Sequence, residues 1–397
     1  MSTAIDPSAS TPSVTSLASE RTAPSAARDP HDTEAADVVK VLRGDGRLDR
    51  TTDPRIPHSD VLLLYRAMLR LRSLGDSAAK LLLGAQSSAG LGHLGSLGEE
   101  AAILGSAYGM RDQDWIFPSH REVGAALLRG MPLQRYVDNL LGNADDPAKG
   151  RQRPEQLSWK QGRYASPSAA RGTQITQAVG FAWAARIKRD DVAVLSYFGD
   201  GATSSAEFHN GLNFAGVFKA PVVFLCRNNG WAHSVPTERQ TGSATFAEKG
   251  IAYGIPSVRV DGNDLLAVIK VTQDAVARAA RHEGPTLIEA MTYRVGGHSA
   301  GDEPRRYRSE EDLDAWRALD PIQRVRRHIE RIQPWTDAHD EAIRAELEAE
   351  LAAAVSVAEK TAPPSLRSLF EDVYATPPWH LVEQREALEK APRPGAR

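Results

Sequence analysis

The residues best suited to chemistry lie at the two ends of one stretch, Gly199-Asp200-Gly201-Ala202 and Arg227-Asn228-Asn229-Gly230-Trp231. One carboxylate and one carboxamide oxygen form a hard donor pair of low charge. Such a pair suits Mg²⁺, which shares its shell with water and phosphate oxygens. The glycines let backbone approach a phosphate, and a helix opening near Thr203 would add unpaired N–H groups and the positive end of its dipole. Arg227 adds a fixed cation. The implied chemistry is a diphosphate held through a metal. Gly-Asp-Gly alone is also what an ordinary strand-ending turn looks like, so the surrounding elements must carry the case.

Those elements have to bring Asp200 and Asn229 together across the intervening residues. Val192 to Phe198 is an apolar run with the length of a buried strand, and Phe208, Leu212, Ala215 and Phe218 then share one helical face. Pro221 to Cys226 reads as a second buried strand. In a parallel strand-helix-strand unit both strands end on the same edge, so Asp200 and Asn229 converge there. Val258 to Val260 and Thr286 to Met291 are further strands around a helix from Leu265 to Arg281. The fold class is α/β, a doubly wound, mostly parallel sheet flanked by helices. The glycine-rich, charged segment Tyr293 to Arg308 leaves the last strand toward the same edge.

Upstream, Ser59 is placed to cap a helix running to Leu83 through Leu64, Met68 and Leu71. Gly84 to Gly98 holds five glycines around Gln86, Leu91, His93 and Leu97, the composition of a loop close to a ligand or a neighbouring chain. Arg121 follows in Asp114-Trp-Ile-Phe-Pro-Ser-His-Arg-Glu122, where it can bind an anion or pair with Glu122 on the surface. Ile343, Leu347, Leu351, Val355 and Ala358 mark an amphipathic helix ended by Pro363-Pro364. The chain divides into a polar tail over 1–55, an α/β body over 56–335 and a helical C-terminal extension over 336–397.

With 397 residues, a net charge of −3 and 25% charged residues, the composition is that of a globular enzyme subunit. No basic excess argues for nucleic acid, and no apolar run approaches the roughly 20 residues that span a bilayer. The single cysteine, Cys226, excludes an internal disulfide and sits where a core residue belongs. Residues 1–55 lack apolar periodicity and are expected to be mostly disordered. Asp6, Glu20, Asp29 and Asp32 argue against an organelle transit peptide, so a cytoplasmic location is expected.

A Gly-Asp-Gly followed by a strand ending in Asn-Asn resembles the thiamin diphosphate motif. The segments Cys226 to Thr237, Ser257 to Asp264 and Glu289 to Ser299 narrow the likeness. They resemble the α subunit of the 2-oxo acid dehydrogenase decarboxylating component, most closely the branched-chain (2-oxoisovalerate) type. The resemblance implies the thiamin diphosphate-binding fold, with Mg²⁺ held by Asp200, Asn229 and the carbonyl of Trp231. It implies that Gly199, Gly201, Ala202, Arg121 and Arg227 bind the cofactor and its diphosphate, that Ser166 to Gly180 cradles the cofactor, and that His298 is the active-site histidine of its loop. It places Ser299 where phosphorylation silences animal relatives.

The family also takes the glutamate that activates the cofactor ring from a separate β subunit. The resemblance therefore implies two α and two β chains presented to a lipoyl-bearing acyltransferase core. A small 2-oxo acid would be oxidatively decarboxylated. The chain departs from the family where Gly84 to Gly98 lacks a basic and aromatic segment, where His120 replaces a tyrosine, and at Arg153 to Gln156, where the family has Met-Pro-x-His. Those departures keep a pyruvate or acetoin dehydrogenase α subunit open as a reading. A non-catalytic α-like scaffold and a transketolase-type enzyme are the alternatives of other classes.

Overall fold

The computed structural model describes residues 37–84, 95–168, 170–299 and 301–391. Its strands in chain order are β1 (Val38–Val39), β2 (Trp115–Phe117), β3 (Val194–Gly199), β4 (Val222–Asn228), the hairpin β5 (Trp231–Ala232) and β6 (Val235–Pro236), β7 (Ser257–Asp261) and β8 (Thr286–Met291). Six of them form one sheet in the order β1-β7-β8-β4-β3-β2, with every pairing parallel. After β4 the chain skips one place to lay down β7, and β8 then fills the gap. All the carboxyl ends therefore open on one edge.

The helices in chain order are α1 (His58–Gly84), α2 (Glu100–Gly109), α3 (Val123–Leu128), α4 (Leu133–Leu141), α5 (Thr173–Lys188), α6 (Ala206–Phe218) and α7 (Leu265–Ala280). They are followed by α8 (Glu310–Arg317), α9 (Pro321–Ile332), α10 (Asp337–Ala358) and α11 (Trp379–Lys390). Helices α5 and α6 cover one face, where Ile175, Ala178 and Ala182 meet Phe198, Phe208, Leu212 and Phe224 in a single core. A glycine on α6 lets the two helices approach: a Cβ on Gly211 would lie 2.6 Å from Ile175 Cγ2 of α5. On the other face α1, α2 and α7 pack a second core against Leu195, Tyr197, Val223, Leu225 and Ile288. Strand β4 is buried throughout, as an interior strand of a doubly covered parallel sheet must be.

Three local expectations are corrected. Residues 37–55 are part of the body: β1 pairs with β7, and Val41 and Leu42 donate their N–H groups to Asp264 Oδ2 at 2.7 and 2.6 Å. These contacts are made with residues more than two hundred positions away, so local composition could not reveal them; residues 1–36 of the expected tail lie outside the described residues. Ser59 lies inside α1, which begins at His58, and its hydroxyl donates to Asp60. The helix after Gly-Asp-Gly opens at Ala206, because Asp200–Ser204 forms a 3₁₀ turn and Ser205 is the cap, accepting from the Phe208 N–H at 3.2 Å. At the far end, α10 buries Leu347, Ala354 and Ala358 in the same core as α1 and α4, whereas α11 buries none of its residues. Among the described residues no helix is long and apolar enough to cross a membrane.

Candidate active site on the carboxyl edge of the sheet

Strands β3 and β4 run in register, with Gly199 opposite Arg227, so the residues just beyond them share one edge. Asp200 is 2% exposed, and its Oδ2 accepts from Gln240 Nε2 at 2.6 Å. Burial pushes its carboxyl up to about 6, against the Gln240 hydrogen bond and the charge of Arg294. No basic side chain of the described residues forms an ion pair with it. Asn229 is likewise buried, and its orientation is fixed: Nδ2 donates to Glu99 Oε1 at 3.1 Å and Oδ1 accepts from Trp231 N at 3.3 Å. The amide oxygen is thereby kept on the side away from Glu99.

The hairpin β5–β6 carries Trp231 over this pair. Gly230 turns into it with φ +84, and Gly201 leaves it room, since a Cβ there would lie 2.6 Å from Ala232 Cβ. Gly199 has no such constraint, the nearest atom to a Cβ being 4.0 Å away. Ala202 sits half-buried at the edge of the α5–α6 core. The Trp231 carbonyl accepts from Arg294 Nη1 at 3.3 Å, and its ring packs in a small cluster with Tyr293, Leu313 and Trp316.

Arg227 is expected from the sequence to offer its cation to the diphosphate, but its charge is already taken up by two carboxylates. Its Nη1 lies 2.5 Å from Glu99 Oε2, and its Nη2 pairs with Glu122 Oε1; the three side chains are 2% exposed or less. Burial works against the guanidinium charge, but Glu122 and Glu99 more than offset it and hold its pKa above the ordinary value. Only Nε remains, buried with no partner. Glu122 also accepts from Ser119 N and Oγ, both at 2.8 Å. It is therefore the brace of the turn after β2 and not a surface partner for Arg121.

Arg121 instead reaches the loop after β8. Its Nη2 donates to the His298 carbonyl at 2.8 Å and lies 3.3 Å from His298 Nδ1, while Nη1 donates to the Gly95 carbonyl. Burial, opposed by Glu99 and reinforced by Arg294 and Arg227, brings its pKa down to about 10. Burial and then Arg121, Arg294, His233 and Arg171 push the His298 imidazole down to about 3, so the ring is neutral at neutral pH. Because Arg121 can only donate, Nδ1 is the acceptor and Nε2 carries the hydrogen. Asp302 Oδ2 accepts from His298 N at 2.6 Å and from the Tyr307 hydroxyl at 2.5 Å.

Asp200, Asn229, Trp231, Arg121 and His298 thus gather on one edge. Ser166 is exposed nearby, accepting from Gln152 Nε2 at 3.2 Å, and Gln174 of α5 donates to the Tyr197 carbonyl at 2.9 Å. His93 and most of Gly84 to Gly98 lie outside the described residues. Sequence reasoning missed Glu99, Gln240 and Arg294. Glu99 alone carried a local signal, as an acid at the start of an apolar helix; the others act through long-range contacts.

The donor set fits a divalent cation and a diphosphate. A buried carboxylate has no ion-pair partner among the described residues, an amide oxygen and a backbone carbonyl stand on the same edge, and Arg227 Nε and His120 Nδ1 are buried polar atoms without hydrogen-bond partners there. Among the described residues no three His, Cys, Asp or Glu side chains gather around a point, so a metal here draws on amide, carbonyl and ligand oxygens as well.

The architecture and this edge define an α/β protein with a candidate cofactor site at the carboxyl edge of a parallel sheet. The family described as "Dehydrogenase E1 component" matches residues 66–367, and the chain belongs to that family. Its relatives are more particular. It is 44% identical over 290 residues to 2-oxoisovalerate dehydrogenase subunit alpha 2, mitochondrial, of Arabidopsis thaliana, covering 73% of this chain and 61% of that protein. It is 40% identical over 362 residues to 2-oxoisovalerate dehydrogenase subunit alpha of Pseudomonas aeruginosa, covering 89% of this chain and 87% of the relative. The mouse mitochondrial subunit alpha is 36% identical over 356 residues, 89% of this chain and 80% of its own.

Proposed function

We propose that this chain is the α subunit of a branched-chain 2-oxo acid dehydrogenase, holding Mg²⁺ and the diphosphate of thiamin diphosphate. It works with a β subunit, as two α and two β chains, and passes the acyl group to a lipoyl-bearing acyltransferase core. The observation that carries the reading is the buried Asp200 carboxylate, without an ion pair among the described residues, on the edge that also holds Asn229, the Trp231 carbonyl, Arg121 and His298. The names of the relatives support the substrate class.

When bound, thiamin diphosphate supplies a nucleophilic ring carbon and an electron sink for loss of CO₂. The chain's own residues do the rest. Asp200 and Asn229 side-chain oxygens and the Trp231 carbonyl hold the metal, and Arg121 offers its guanidinium to the diphosphate. Gly199, Gly201 and Ala202 bring backbone up to the phosphates. Arg227, already neutralised by Glu99 and Glu122, contributes its remaining Nε–H and stiffens the floor. Neutral His298, with hydrogen on Nε2, can donate a hydrogen bond from that atom to a bound carbonyl or hydroxyl.

Calorimetric titration of the α/β complex with thiamin diphosphate tests this. Wild type binds tightly only with Mg²⁺ present, and Asp200→Ala weakens that binding by at least about tenfold, a loss of about 1.4 kcal/mol. Equal binding by the variant sinks the metal assignment.

A further inference from the structure

His233 is used by nothing described so far, yet three observations tie it to the reacting edge. Its ring lies flat on that of His298, with centroids 4.4 Å apart and planes 18° from parallel. Its backbone has φ +58, the left-handed region that few residues with a Cβ adopt, although His tolerates it better than most. That conformation is clamped from outside, because the buried Arg294 donates from Nη2 to the His233 carbonyl at 2.7 Å. The side chain is otherwise solvent-facing, 60% exposed, with Nε2 3.9 Å from Asp302 Oδ1.

An uncommon backbone conformation held by a buried arginine points to a side chain whose direction matters. Here that direction sets a flat ring against the imidazole of His298. His298 is held at Nδ1 by Arg121 and through its backbone by Asp302, and the ring of His233 covers one flat face of its imidazole.

We propose that His233 is a positioning residue: its ring, aimed by the left-handed turn at 233, is the shelf that keeps His298 directed at the reacting centre. The inference rests on the reading of His298 as the side chain that hydrogen-bonds the bound reactant. The shelf needs an aromatic face and no exchangeable proton. A flat ring of another kind therefore serves, and a side chain that accepts the same backbone without a ring does not.

The test uses the α/β complex with a lipoyl carrier and three variants. His233→Asn tolerates the left-handed backbone but lacks the ring, His233→Phe keeps a ring, and His298→Gln marks the target. His233→Asn is expected to lower kcat at least about tenfold, within the ~10²-fold that a misplacement of about 1 Å costs, with KM for the 2-oxo acid and the melting temperature unchanged. His233→Phe should restore turnover to within about threefold of wild type, a difference under about 1 kcal/mol. The second readout is the His298 Cε1–H resonance, assigned by its loss in His298→Gln. It should be shielded in wild type and in His233→Phe, and move downfield in His233→Asn.

Wild-type turnover by His233→Asn, or equal losses in the Asn and Phe variants, overturns the shelf. So does an unmoved His298 resonance in His233→Asn. A wild-type complex that decarboxylates no 2-oxo acid refutes the functional reading instead, and the resonance then decides the positioning role by itself.

Discussion

Replacing Arg227 by methionine should unfold the site from within. The guanidinium is the single cation between two carboxylates, Glu99 and Glu122, and all three side chains are 2% exposed or less. Methionine fills much of the same volume, so the effect is electrostatic. Breaking a buried ion pair by removing one partner costs about 3–5 kcal/mol. Two carboxylates lose their partner here, and Glu99 also orients Asn229, which argues for the upper half of that range. A loss of about 4 kcal/mol lowers the ratio of folded to unfolded chain roughly 10³-fold and the melting temperature by roughly 5 °C. Thermal unfolding of the α/β complex at fixed protein concentration measures it. The triple variant Arg227→Met/Glu99→Gln/Glu122→Gln should recover most of the stability, because no buried charge is then left unpaired. A melting point for Arg227→Met within about 2 °C of wild type would show that the three groups do not form a mutually dependent buried cluster.

Other consequences follow from individual contacts. Asp264→Ala should destabilise the chain by about 3 kcal/mol or more, because the Val41, Leu42 and Ala267 N–H groups all lose their acceptor; chemical denaturation reads it, and a change under about 1 kcal/mol would mean that the 37–55 segment is held elsewhere. Gly201→Ala should destabilise by about 1–3 kcal/mol by forcing the Trp231 hairpin away, whereas Gly199→Ala, with nothing closer than 4.0 Å, should cost less than about 1 kcal/mol; equal effects would remove the steric argument. His298 titrates lower folded than unfolded, so protonation opposes folding. The stability linked to it is complete above the unfolded value of about 6.5 and is lost as pH falls from there toward about 3. His298→Gln should make the acid limb of the stability–pH curve shallower, and an unchanged limb would contradict the assignment.

Strands β3, β4 and β8 were legible in the sequence because a parallel sheet covered on both faces demands uninterrupted apolar runs, and Thr286 to Met291 matched to the residue. From that topology alone Asp200 and Asn229 had to meet. What escaped was set by distant partners. Arg227 read as a cation for the diphosphate because its two carboxylates lie 128 and 105 residues away. Val38 and Val39 were hidden in polar surroundings and found their strand only through β7. The helix start moved from Thr203 to Ala206 because Ser205 is the better cap, a choice of three residues that apolar periodicity does not resolve. Arg294 gave no local sign that it would clamp both the Trp231 and His233 carbonyls.

The central claim is that this edge, completed by a β subunit, decarboxylates branched-chain 2-oxo acids with thiamin diphosphate. The direct measurement is turnover by the co-expressed α/β complex with lipoyl carrier, comparing 2-oxoisovalerate and its branched homologues with pyruvate. The account predicts thiamin- and Mg²⁺-dependent turnover with kcat/KM at least about tenfold higher for the branched acids, a transition-state preference of about 1.4 kcal/mol. Activity confined to pyruvate, or turnover that survives without thiamin diphosphate, would contradict it.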